Sequence, residues 1–219
     1  MRIVLATKNA GKIREIRDIL RDLDVVLLDW RAVPSFPDVA EDGDTFLENA
    51  LAKAKAVHAA TGIVALADDS GVEVDALVGA PGVRSARYGG PGLSDAERCA
   101  KLLRELAGVP AERRGARFHC VAVLYPAPAG RQPIEAPGGG IATEGFLYGT
   151  ITEAPRGVNG FGYDPVFFVP GHGKTIAEMD AAEKNIISHR YRALVEMKFM
   201  LARECGVGLA DASGDAARA

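Results

Sequence analysis

The sequence predicts an α/β fold, and three observations carry the prediction. Short apolar runs of strand character alternate with segments whose apolar residues recur at helical spacing. The changes of period are marked by glycine, proline or a helix-capping pair. Of the 219 residues, 48% are hydrophobic and 25% charged, the balance of a chain that buries a core. At roughly 100–200 residues per domain, this length makes one domain or two closely joined lobes. It needs no disulfide or metal staple to build a core.

The elements follow in order. Arg2 to Ala6 reads as a short strand, followed by the polar turn Thr7-Lys8-Asn9-Ala10-Gly11. Ile13, Ile16, Ile19, Leu20 and Leu23 then lie on one face of a helix. Val25 to Leu28 is a second strand, and Pro34 to Asp44, with two prolines and a run of acids, is a loop. Thr45 with Glu48 three residues on is a capping box opening the second helix, and Gly62 marks its end. Ile63 to Ala67 is a third strand, which the sequence suggests ends abruptly at Asp68-Asp69-Ser70-Gly71. Ser94 and Glu97 cap a helix carrying Leu102, Leu103 and Leu106, with Gly108 after it. Phe118 to Tyr125 and Phe146 to Ile151 are β-rich runs separated by a Pro/Gly loop from Pro126 to Gly140. Asp180 and Glu183 start a short helix, and Ser188 caps a last one that runs to about Cys205 and stops at Gly206. No repeat or linker divides the chain, so a single domain is expected over residues 1–206, with a flexible tail over 207–219.

Charge and composition exclude several partners. With 26 Lys+Arg against 29 Asp+Glu, the formal charge is −3, which argues against a nucleic-acid polymer. No apolar run approaches the ~18 residues of a membrane span, and the N-terminal strand does not resemble an export signal. Cys99, Cys120 and Cys205 are widely spaced with no C-x-x-C pair. They read as packing residues in a reducing, cytoplasmic setting.

Four clusters offer chemistry. Thr7-Lys8-Asn9-Ala10-Gly11-Lys12 joins a strand to a helix start, where backbone N–H groups and the helix dipole suit phosphate. It departs from the P-loop pattern, and a plain capped helix with a solvated lysine fits the same residues. Asp68-Asp69-Ser70-Gly71 supplies hard oxygen ligands of the kind Mg²⁺ takes, or an Asx turn at a strand end. In the acidic loop before the second helix, Glu41 is the acid placed to join such a metal, and Lys53 faces the core edge or a phosphate. Last, glycines flank Phe161 in Phe161-Gly162-Tyr163-Asp164, freeing its ring to stack on a planar ligand. Lys184, His189 and Arg190 follow as donors. His189 and Arg190 sit in a first helical turn, where positive charge opposes the dipole and calls for an acceptor-rich neighbour.

Thr7 to Lys12, Phe46-Leu47-Glu48-Asn49-Ala50, Ala67 to Gly71, Ser85-Ala86-Arg87-Tyr88, Phe161 to Pro165 and Ile187-Ser188-His189-Arg190 occur in this order. Together they resemble the inosine triphosphate pyrophosphatase family, from about Arg2 to Ala202. The resemblance implies a mixed central sheet flanked by helices, with two lobes and an active-site cleft between them. It implies Mg²⁺-dependent hydrolysis of ITP, dITP and XTP to the monophosphate and pyrophosphate, by a cytoplasmic homodimer that cleanses the nucleotide pool. By position, Thr7, Lys8, Asn9, Ala10, Gly11 and Lys12 would hold the triphosphate, with Lys53 beside them. Glu41 and Asp69 would bind Mg²⁺, with Asp68 supporting the metal site. Asp69 would accept the proton of the attacking water, and Ser70 would touch substrate. Phe161, Gly162, Tyr163, Asp164, Lys184, His189 and Arg190 would form the base pocket. Two rivals remain open at this point: a Maf-like pyrophosphatase of pyrimidine or modified nucleotides, and a nucleotide-binding protein without catalysis.

Overall fold

A computed structural model of the chain describes residues 1–127, 135–136, 138–204 and 206–208. The strands are β1 (Arg2–Leu5), β2 (Val26–Leu28), β3 (Val64–Val74), β4 (Gly115–Tyr125), β5 (Glu135–Ala136), β6 (Gly140–Ile151), β7 (Phe167–Val169) and β8 (Lys174–Thr175). The helices are α1 (Ala10–Ile19), α2 (Phe46–Thr61), α3 (Asp95–Glu105), α4 (Ala181–Ile187) and α5 (His189–Glu204). The sheet runs in the order β2-β1-β3-β4-β6-β7-β8, with β5 pairing β6. It is mixed. β1 lies parallel to both β2 and β3, with Ile3 opposite Leu27 and Val64. The β6–β7 and β7–β8 pairs are antiparallel. This is the α/β class the alternating pattern predicts.

The chain forms two compact units. The first comprises Met1–Asp69, Val121–Glu144 and, among the described residues, 190–204 and 206–208. β1 is short and apolar, and Ile3, Val4 and Leu5 are fully buried. The α1 stripe of Ile13, Ile16 and Ile19 is buried too, as are Ala50, Ala54 and Val57 of α2 and Leu194, Met197 and Leu201 of α5. The buried alanines Ala50 and Ala54 suit the helix, since alanine has no side-chain rotamer to lose. Val207 is buried and its N–H donates to the Leu201 carbonyl, while the Gly208 carbonyl accepts from Asp24. The rest of the expected tail, residues 209–219, lies outside the described residues, as does Cys205 and most of the Pro126 to Gly140 loop.

The second unit comprises Ser70–Cys120 and Gly145–His189. Its core gathers Val72 and Val74 with Leu102 of α3 and Leu106 just after it, Phe118 of β4, Val166 and Phe167, and Ile176 and Met179. Arg114 is buried here because its guanidinium donates to three carbonyls, of Leu106, Val109 and Thr152, which replace its lost water.

The capping boxes predicted at Thr45/Glu48, Ser94/Glu97 and Asp180/Glu183 are all formed. Gly62 ends α2 with φ +68°, a left-handed conformation that favours glycine. One expectation is overturned. The third strand does not stop at Asp68: β3 continues through Asp68, Asp69, Ser70 and Gly71 to Val74. Charged side chains can stay in a buried strand when cations reach them, and here Lys12, Lys53 and Arg190 do so. Gly71 serves close packing rather than a turn. A Cβ there would lie 2.3 Å from the Gly82 carbonyl oxygen and 2.4 Å from Ser85 Oγ. Gly71→Ala is therefore expected to destabilise the protein by about 1–3 kcal/mol, as overpacking does. Urea unfolding checks this, and an unchanged midpoint would contradict the packing account.

Candidate active site

Asp68 and Asp69 are neighbours on β3, so their side chains leave the strand on opposite faces. Each meets its own set of partners. Asp68 Oδ2 accepts from Arg190 Nε at 3.1 Å and Nη2 at 3.0 Å, and Lys12 Nζ lies 3.0 Å away. The same guanidinium pairs through Nη1 with Glu15 of α1. Asp68 and Arg190 are each only 1% exposed, so this is a buried charge network, in which every member depends on the others. Burial alone would raise the pKa of Asp68. Lys12 and Arg190, with Lys53 further off, outweigh burial and hold the carboxyl far below the usual carboxylate range.

Asp69 is served from α2. Asn49 Nδ2 donates to its Oδ2 at 3.2 Å, and Lys53 Nζ donates to its Oδ1 at 2.7 Å. Asn49 and Lys53 are four residues apart, one helical turn, and so share a face. Lys53 Nζ also reaches Glu41 Oε1 at 2.8 Å and the Asp68 carbonyl at 2.8 Å. Burial would lower the pKa of Lys53, but Asp69 and Glu41 raise it, so the ammonium stays charged. Asp69 itself moves upward, because burial disfavours its charged form and Glu41 adds a like charge, against the opposing pull of Lys53.

The loop bearing Glu41 is tied to the first turn of α2. Gly43 N–H donates to Asn49 Oδ1 at 2.8 Å, and Asp44 and Thr45 N–H both donate to Glu48 Oε2. Earlier in the loop, Lys8 Nζ pairs with Asp38 at 2.5 Å and lies 5.8 Å from the Phe36 ring centroid.

The strand-to-helix turn is internally bonded. Thr7 N–H donates to the Leu5 carbonyl and Asn9 N–H to Thr7 Oγ1. Asn9 caps α1 by accepting from Gly11 N–H at 2.9 Å and Lys12 N–H at 3.1 Å. The helix start that suits phosphate is thus covered by the Asn9 side chain, and Ala10 opens the helix behind it. The side chains of Lys8 and Lys12 carry the positive charge of this turn.

The remaining candidates belong to the second unit. Gly160 and Gly162 both have positive φ, +78° and +63°, which lets the chain wrap around Asp164. Asp164 Oδ2 accepts from Phe161 N–H at 2.9 Å and from Lys184 Nζ at 2.6 Å. That ammonium stands 4.5 Å from the centroid of the half-buried Phe161 ring, a cation–π contact. Gly162 N–H donates to Asp95, and Tyr163 donates its hydroxyl to the Ser85 carbonyl. His189 is buried and stacks on Phe118, with centroids 4.6 Å apart and planes 9° from parallel. Ser70 is half-buried on β3. The chain passes from one unit to the other between Asp69 and Ser70 and again between His189 and Arg190. Arg190, which the resemblance assigns to the base pocket, engages Asp68 and Glu15 in the first unit.

The model of the Ham1 family matches residues 3–200. The chain belongs to the Ham1 family. A dITP/XTP pyrophosphatase of Geobacter sulfurreducens is 51% identical over 198 residues, covering 90% of this chain and 94% of that one. The structure of a HAM1 protein from Coxiella burnetii matches with a TM-score of 0.79 at 43% identity, over 92% of this chain and 98% of that chain. The Staphylococcus aureus Ham1 protein matches with a TM-score of 0.78 at 37% identity, over 93% and 100% respectively. Membership rests on nearly the whole chain, so the two carboxylate sets above lie within the family's shared region.

A divalent cation fits the oxygen chemistry of Glu41 and Asp69, whose carboxylates both reach the Lys53 ammonium. Mg²⁺ ordinarily takes one or two protein carboxylates and completes its shell with water and substrate phosphates. Among the described residues, no three His, Cys, Asp or Glu side chains cluster as a metal cage. Two acids that both reach one lysine supply the carboxylates of that arrangement.

Sequence reasoning passed over Glu15 and gave Asn49 no role of its own. Glu15 could have been found as an acid set between Ile13 and Ile16 on a buried helix face. Asn49 could have been found from its one-turn spacing to Lys53.

The acid limb of stability follows from Asp68. A carboxyl whose folded pKa lies below its ordinary 3.8 stabilises the fold above that pH and ceases to do so as pH falls through the folded value. Urea midpoints measured from pH 7 down to pH 3 should therefore fall below about pH 4 in the native chain. Asp68→Asn should already lose about 3–5 kcal/mol at pH 7, because Lys12 then loses its carboxylate partner and Arg190 keeps only Glu15. It should lose less than the native chain over the acid range. Parallel curves for the two proteins would contradict the assignment.

Proposed function

We propose that the protein is a nucleoside-triphosphate pyrophosphatase that hydrolyses deaminated purine nucleotides, ITP, dITP and XTP, to the monophosphate and pyrophosphate. The observation that carries this reading is the convergence of Glu41 and Asp69 on one lysine, beside a lysine-bearing strand-to-helix turn, in a Ham1 chain. The names of the relatives, dITP/XTP pyrophosphatase, support the substrate class. The reading extends to a homodimer acting in the cytoplasm, with a nucleotide rather than a nucleic-acid polymer as partner. No described helix is long and apolar enough to cross a membrane.

Glu41 and Asp69 would hold Mg²⁺, which when bound neutralises phosphate charge and acidifies a coordinated water. Asp69 takes the proton of the water that attacks the α-phosphorus. The bond from that phosphorus to the bridging oxygen breaks, and pyrophosphate leaves with the electron pair. With Mg²⁺ on it, Asp69 would be a weaker base, and the pKa of the attacking water would be lowered by the same ion, which keeps the proton transfer feasible. Lys53, displaced from the two acids, turns its charge toward the phosphates, and Lys12 and Lys8 add theirs.

Base selection belongs to the second unit. Phe161 offers a face for stacking, and Lys184 beside it is a donor-only group. A 6-oxo purine accepts from such a donor. Adenine presents an amino group at that position, leaving a buried donor unpaired, which is a large penalty.

The test is purified protein with Mg²⁺ and separate ITP, XTP, GTP, ATP and UTP, with released pyrophosphate measured. Release from ITP and XTP is expected, falling at least ~100-fold in kcat for Asp69→Asn. Release mainly from UTP would favour a Maf-like activity. Bound nucleotide without release would mean a binding protein.

A further inference from the structure

We infer that Asn49 is a positioning residue that holds the proton acceptor Asp69 in register with the acidic loop carrying Glu41. The inference rests on the reading of Asp69 as the proton acceptor. Asn49 is 1% exposed and is the fourth residue of α2, one turn past the N-cap Thr45. Its carboxamide makes two bonds to chain segments outside the helix. Oδ1 accepts from Gly43 N–H at 2.8 Å, and Nδ2 donates to Asp69 Oδ2 at 3.2 Å.

The orientation of that amide is set by chemistry. A backbone N–H can only donate, so the amide oxygen faces Gly43 and the NH₂ group faces Asp69. With Lys53 donating to Oδ1, both oxygens of Asp69 receive a hydrogen bond from the same face of one helix. Once Lys53 turns to the phosphates, the Asn49 donor is the bond from α2 that still holds Asp69 Oδ2, and it sets the direction of the carboxylate lone pair that must meet water. Proton transfer in the chemical step is sensitive to such alignment, and misplacement by 1 Å can lower a rate by about 100-fold.

The residue at the other end of the bridge is constrained as well. A Cβ on Gly43 would come within 2.8 Å of Asn49 Oδ1 and within 2.8 Å of Glu48 Cβ. Position 43 therefore needs glycine for its backbone to reach the amide at all. From Gly43 the loop runs back only two residues to Glu41, whose carboxylate meets Lys53, one turn beyond Asn49. Through its two bonds, Asn49 thus ties the loop that carries Glu41 to Asp69.

A buried asparagine could instead serve stability alone, by satisfying the Gly43 N–H. Asn49→Asp separates the two roles. It has the same shape and still accepts from Gly43, but it places an oxygen where Asp69 requires a donor. Gly43→Ala perturbs the same bridge from the far side without touching Asp69. The experiment measures kcat and KM for ITP at saturating Mg²⁺, with melting temperatures, for the native chain and both variants. The inference predicts that Asn49→Asp lowers kcat by about 100-fold with KM within about threefold, while the melting temperature falls because a second carboxylate is buried beside Asp69. Gly43→Ala should lower kcat in the same manner by a smaller factor. Native kcat in Asn49→Asp overturns the inference, as does a loss of kcat matched by an equal rise in KM. If Asn49→Asp does not fold, native-like kcat in Gly43→Ala overturns it. A native protein inactive on ITP overturns the underlying reading and this inference with it.

Discussion

Two aspartates side by side in a buried strand are the constraint around which the rest of this molecule is arranged. Removing a carboxylate from water costs several kcal/mol unless a counter-charge and hydrogen bonds replace the hydration. The period of a β-strand divides the problem, sending Asp68 to one face and Asp69 to the other. Asp68 is met by Lys12 of α1 and Arg190 of α5, and Arg190 is balanced in turn by Glu15. Asp69 is met by Asn49 and Lys53 of α2. Three of the helices in the first unit are thereby tied to the same two residues, and the strand carries its charges through the sheet without breaking.

The two sets of partners differ in kind, and the difference fits the proposed roles. The Asp68 set includes a guanidinium with two hydrogen bonds to one carboxylate oxygen, a geometry suited to holding. The Asp69 set relies on an amide and a lysine, a flexible side chain whose charge can be handed to another anion. Lys53 neutralises Glu41 and Asp69 together, so a cation arriving with a polyphosphate could take the acids while the lysine takes the phosphate. Such an exchange leaves each anion beside a counter-charge, the acids with the cation and the phosphate with the lysine. That explains how a chain of formal charge −3 can bind a substrate with several negative charges.

Much of the fold was legible because its signals are local. Capping boxes, the alternation of apolar runs and the glycine after α2 all act within a few residues, and each formed as the sequence predicts. Asp68 to Gly71 was misread as a strand end for the opposite reason. The ion partners of the pair lie at Lys12, Lys53 and Arg190, far away in sequence, and without them an acidic Asp-Asp-Ser-Gly is most simply a turn. The same distance hid Asn49, whose sequence neighbourhood is an ordinary helix and whose role exists only once Asp69 and Gly43 reach it. Ser188 shows how a boundary can be half legible: it marks the break before α5 while also ending α4.

The pairing of Lys53 with Asp69 is the claim on which the account stands, and a double-mutant cycle in unfolding free energy tests it most directly. Lys53→Met, Asp69→Asn and the double variant would be unfolded in urea beside the native chain. The account predicts a coupling of at least about 1 kcal/mol, the double variant being more stable than the sum of the single losses implies. Additivity within about 0.3–0.5 kcal/mol would show that the two groups do not depend on each other and would contradict it.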